Sequence, residues 1–185
     1  MLKAALVAIA FVPAAALAAP PETIAPHKII SAVEGDFNGD GSLDRAVLMD
    51  NGDTDADLVI YFNDGNGGFK PAGSAAAIAF NGGLAGNSPD LRLSKSGALQ
   101  VHSENMAIGR SHWERTLTLS YRGGQFVVSG ITASDFDTLD PGAGGACDIN
   151  LLTGKGTSGR KKVTVKGGAV PLSQWTEDKI PAACQ

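Results

Sequence analysis

Nine consecutive residues restrict the fold of this chain more than any others. Asp36-Phe37-Asn38-Gly39-Asp40-Gly41-Ser42-Leu43-Asp44 puts oxygen-bearing side chains at positions one, three, five, seven and nine, with Gly at six. Three carboxylates this close repel one another unless a cation sits between them. A hard dication, which takes oxygen ligands at about 2.3–2.6 Å, suits such a loop. Asp36, Asn38 and Asp40 offer side-chain oxygens, Ser42 offers its carbonyl, and Asp44 closes the site. Gly41 permits the left-handed backbone that the turn needs. The spacing therefore predicts a calcium site. A metal-free turn rich in Asp and Asn is the alternative.

The flanks set the context. An EF-hand wants a bidentate Glu at position twelve, where this chain has Val47, and a helix on each side. Here Ile29–Val33 precedes the loop and Arg45–Met49 follows it, both short and rich in β-branched or apolar residues, which predicts strands. The same texture recurs along the chain. Apolar runs of five or six residues alternate with Gly/Asn/Asp turns, and Gly reaches 24 of 185 residues. That composition predicts an all-β domain.

Met1–Ala18 carries one charge, Lys3, then the apolar run Ala4–Ala16 and an Ala16-Leu17-Ala18 cleavage motif. It reads as a secretory leader, too short to span a bilayer. No later apolar stretch approaches spanning length. An exported protein, periplasmic or extracellular, meets the millimolar calcium that a weak site requires. Cleavage after Ala18 leaves 167 of the 185 residues, enough for a single β-rich domain over 19–185. Loss of Lys3 moves the formal charge from −4 to −5. A mildly acidic domain is a poor match for a nucleic-acid backbone. Both cysteines, Cys147 and Cys184, lie in the mature part, and export predicts a disulfide between them. A closed loop of about 38 residues contributes roughly 3–4 kcal/mol in the chain-entropy model.

Leu58–Phe62 is apolar on both faces and reads as a central strand. Asn63–Gly68 is a turn signal, and Phe69 opens the return strand. Gly35 to Gly41, Asp44 and the run from Leu58 to Phe69 together resemble one FG-GAP (VCBS-type) repeat, the blade unit of calcium-containing β-propellers. The resemblance covers about 35 residues. It implies that Asp36, Asn38, Asp40, Ser42 and Asp44 are ligands and that the calcium is structural. There is no second copy of the acidic loop, and a closed propeller needs at least four blades. Further hairpins are predicted at Asp90–Ser94 with Ala98–His102, Leu117–Tyr121 with Gln125–Val128, and Lys162–Val165 with Ala169–Val170. The expected fold is antiparallel hairpins forming a β-sandwich or an incomplete, propeller-like stack of blade units.

Other candidate sites are less patterned. Asp50–Asp57 holds four acids and reads as a solvated loop or a second cation site. His102–Arg115 is dense in His, Glu, Arg and Trp. It predicts a polar loop running into a strand, with four uses open. One is a ligand surface with Trp113 as platform beside Arg110, His112 and Arg115. The others are a zinc site from His102, Glu104 and His112, acid–base chemistry by His112 with Glu104 or Glu114, or no function at all. Asp135–Asp140 is another acidic loop. Gly154–Gly159 spells G-x-G-x-x-G, but the basic strand that follows is not the helix a dinucleotide site needs. That strand and its loop form a basic patch of Lys155, Arg160, Lys161, Lys162 and Lys166. The favoured function is a non-enzymatic, calcium-stiffened binding domain for a protein or carbohydrate ligand. The competing one is a small hydrolase using acids and His of 102–114 and 135–140.

Overall fold

A computed structural model of the chain describes residues 24–83, 86–140 and 142–185. The leader lies outside these residues. The fold is all-β, with twelve antiparallel strands in two sheets among the described residues. The first sheet has four strands in sequential order: β1 (Ile29–Gly35), β2 (Asp44–Asp50), β3 (Asp55–Asn63) and β4 (Phe69–Phe80). The second orders β5 (Asp90–Leu93), β6 (Leu99–Asn105), β7 (Ser111–Arg122), β8 (Gln125–Asp137), β9 (Gly145–Asn150), β10 (Lys155–Ser158) and β11 (Lys161–Thr164) as a meander. The two-residue β12 (Val170–Pro171) pairs with β8 at Val127 and Val128, beyond the stretch of β8 that pairs with β9.

Burial explains the arrangement. Leu58, Val59 and Ile60 are all buried, as the apolar run predicts for a strand covered on both faces. In the second sheet, Leu91, Val101, Leu117, Ile131 and Ile149 stand in register across five strands. They face Leu48, Leu58 and Ile60 of the first sheet in one shared core. Burial of each such side chain contributes about 1.5–3 kcal/mol. Phe62, Tyr121 and Phe126 close one end, with ring centroids 5.0–5.6 Å apart. The sheets thus form a sandwich, not a blade stack.

After β12 the chain becomes a strap of short 3-10 turns at Leu172–Gln174, Glu177–Lys179 and Ala182–Cys184. Leu172, Trp175 and Ile180 of the strap are buried in the core. It ends on a disulfide from Cys184 to Cys147 in β9, with Cα atoms 5.3 Å apart.

Three expectations change. Lys161–Thr164 pairs with β10 through the turn at Gly159–Arg160, and Val170 crosses to β8, so no hairpin forms between them. Most of the expected 102–115 loop is strand: β6 runs to Asn105 and β7 starts at Ser111. Likewise Asp135–Asp137 is the end of β8.

Candidate functional site

The acidic loop connects β1 and β2 and is wound on left-handed Gly39 and Gly41. Phe37 roots it in the core, and Gly35 must be Gly because a Cβ there would lie 2.8 Å from the Phe37 ring. Asp36 Oδ1 accepts from the Gly39 and Asp40 amides, and its Oδ2 accepts from Gly41 at 2.9 Å. Asn38 Oδ1 accepts from the Asp40 amide, and Asp40 Oδ1 accepts from Ser42 at 2.7 Å. The Asn38 amide and then the Ser42 N–H hold the Asp40 carboxyl below the ordinary carboxylate range. Asp44 differs from the others because it is fully buried. Its Oδ2 accepts from Phe37 N–H and its Oδ1 from Asn63 N–H, both at 3.0 Å. It therefore staples the loop to the end of β3. Each carboxylate oxygen carries two lone pairs, so an amide bond and a cation contact can share one atom.

The acids of Asp50–Asp57 scatter. Asp50 Oδ1 caps the Gly52 amide, and Asp57 Oδ1 takes the Ala77 amide at 2.9 Å. That second bond pins a bulge in β4: Leu58 pairs with Ala75 and Ala56 with Ala79, so β4 carries extra residues between them. Ala77 sits there at φ 48, a left-handed conformation rare for a residue with a side chain. Such bulges re-aim side chains and gather at functional sites. Asp55 lies near Asp53, Asp57 and Glu177. Burial first, then these like charges, raise its carboxyl above the usual range.

The bulge forms one wall of a cleft of about 340 Å³ where both sheets and the strap meet. Phe80, Trp113 and Trp175 line it, together with Asp55, Ala77 and Glu177. The Phe80 and Trp113 rings are 5.7 Å apart. Arg115, on the same face of β7 as Trp113, lays its guanidinium 5.1 Å from the Trp113 ring centroid and donates to Glu177 at 2.9 Å. Its Nε is buried without a partner among the described residues. Trp113 and Arg115 are therefore brought together. Arg110 and His112 are not in this group. Arg110 forks onto Asp137 at 2.6–2.9 Å and holds that carboxyl low. His112 Nε2 meets the Gly109 carbonyl at 3.2 Å and its ring packs edge-on against Phe136. Trp175 and Glu177 were not expected at a site, and Asp55 was expected only in a solvated loop or a second cation site. Trp175 is the only other tryptophan in the chain, and that scarcity is the one signal that could have singled it out.

On the opposite face of the second sheet, β6 and β7 bring His102, Glu104 and Glu114 together, with ligand atoms within 4.8 Å of one another. Glu114 thus stands where the sequence suggested His112. Of the residues proposed for hydrolysis, His102, Glu104 and Glu114 share this group, whereas Asp137 is tied to Arg110 and Asp140 caps the Gly142 amide.

No helix among the described residues is long and apolar enough to cross a membrane. No protein-family model matches the chain, and neither the curated proteins nor the solved structures contain a match.

Proposed function

We propose that this protein is an exported, calcium-stabilised binding domain that takes a carbohydrate ligand in the Trp113 cleft without transforming it. The observation that carries this is the composition of the cleft: three aromatic side chains beside two carboxylates. Aromatic faces accept the apolar face of a sugar ring, while carboxylates accept its hydroxyl protons. The guanidinium fixed between Trp113 and Glu177 holds both in place before a ligand arrives, which lowers the ordering cost of binding. The disulfide supports export, since such bonds persist in oxidising compartments.

The calcium belongs to the Asp36–Asp44 loop, as in the FG-GAP resemblance, with Asp36, Asn38, Asp40, the Ser42 carbonyl and Asp44 as ligands. The loop lies at the end of the first sheet where Gly35 pairs Asp44; the cleft lies at the other end, where Asp55 pairs Phe80. The ion's role there is to neutralise and stiffen, remote from the ligand.

A glycan array probed with the wild type and with Trp113→Ala tests this. Retention of a defined glycan class by the wild type, lost in Trp113→Ala but kept in Arg110→Ala, is the expected result. Equal retention by both variants contradicts it, and so does capture only of proteins lacking glycans.

A further inference from the structure

We propose that His102, Glu104 and Glu114 form a second metal site, distinct from the calcium loop, that takes a zinc-class transition-metal dication. The three lie on the solvent side of the second sheet, away from the core and from the Trp113 cleft. His102 and Glu104 alternate along β6, and register puts Glu114 of β7 directly opposite Glu104. Carboxylates facing each other across a strand pair repel and destabilise the sheet. Among the described residues neither has a lysine or arginine partner, and the one ion-pair contact is from Glu104 to His102. A cation bound between the two removes the repulsion.

The imidazole selects which cation. Oxygen-only sites suit calcium and magnesium, whereas a histidine beside carboxylates suits zinc and its neighbours. The His102 side chain is 8% exposed, so its position is set by packing. Its Nδ1 lies 3.1 Å from Thr116 Oγ1, the outer partner that fixes the ring and leaves Nε2 for the metal. Nε2 is already 3.5 Å from Glu104 Oε2, close to the roughly 3.3 Å between neighbouring ligands that tetrahedral zinc at 2.0–2.1 Å requires. Glu114 is exposed and completes the set by rotating its carboxylate, which Ser134 Oγ steadies at 2.9 Å. Three protein ligands leave one position open. It faces a cavity of about 400 Å³ walled by Arg92, Thr116, Thr132 and Asp148, where a water or an anionic group could complete the shell.

The test is isothermal calorimetry of the EDTA-stripped full chain with zinc chloride, in millimolar calcium so that the acidic loop is saturated. One zinc per chain is expected. Glu114→Gln and Glu104→Gln should each weaken it at least ~10-fold, and Thr116→Val by ~10–100-fold, as loss of an outer partner does. Cobalt in place of zinc should give the intense visible bands of a four-coordinate ion, absent from the Glu114→Gln protein. Both Gln variants sit on solvent-facing positions, and their apo melting temperatures, unchanged or raised by removal of the repulsion, confirm that they fold. His102→Ala should abolish binding, but it removes a buried ring, so the Gln variants decide. No zinc uptake against the millimolar calcium, or uptake by both Gln variants as strong as by the wild type, would each overturn the proposal.

Discussion

Asp40 and Asp44 belong to one acidic stretch, yet their surroundings assign them different duties. Asp44 is buried and accepts two main-chain N–H groups. Asp44→Asn keeps one acceptor but turns an N–H₂ toward the other amide. It should cost about 1–3 kcal/mol in urea unfolding with calcium chelated, and more with calcium present, because the ligand is lost as well. Asp40 is exposed and holds only local loop contacts. Asp40→Ala should leave stability in EDTA nearly unchanged and abolish the gain on adding calcium. That gain is about 1.4 kcal/mol when free calcium is ten times Kd. Asp55 presents the reverse electrostatics. Its carboxyl is raised by burial and by neighbouring acids, so the folded state holds the proton more tightly than the unfolded chain does. Stability therefore falls as pH rises from the ordinary carboxylate range through the raised folded value. Asp55→Asn should remove that slope and raise the melting temperature at pH 7. Asp137, held low by Arg110, works in the opposite direction. Its contribution is present at neutral pH and is lost as pH drops below the ordinary range, a limb that Asp137→Asn should flatten in acid titrations.

Among the elements, the strap and the β4 bulge do most to shape the cleft. The strap brings Trp175 and Glu177 to Trp113 and is tied down at its end by Cys184. Replacing both Cys147 and Cys184 by Ser should lower stability by roughly 3–4 kcal/mol and loosen the cleft, measured as faster amide exchange in 172–184. What sequence made legible at this scale follows from periodicity. Leu58–Phe62 and Leu117–Tyr121 each meet the core in a simple pattern and were recognisable as strands. Ser111–Arg115 was not, because Trp113 and Arg115 meet the strap on one face while on the other His112 meets the Gly109 carbonyl and the Phe136 ring and Glu114 meets Ser134. No apolar alternation remains to mark the strand. The exchange of His112 for Glu114 beside His102 has the same origin: only the β6–β7 register decides which residue faces Glu104. The crossing of Val170 to β8 and the bulge at Ala77 depend on long-range pairing and left no local trace.

At the scale of the molecule, the acidic loop and the aromatic cleft occupy opposite ends of the first sheet. Chelation should therefore lower the melting temperature while leaving ligand affinity unchanged at temperatures where the fold persists. Both tryptophans of the chain line the cleft, so tryptophan fluorescence reports on that site. The most direct measurement is a fluorescence titration with the glycan fragments an array selects. A saturable spectral shift, weakened roughly tenfold or more (~1.4 kcal/mol) by Asp55→Ala, is the predicted result. A flat titration across neutral, acidic and aminated glycans, with the protein folded and calcium bound, would contradict the assignment of the cleft as a carbohydrate site.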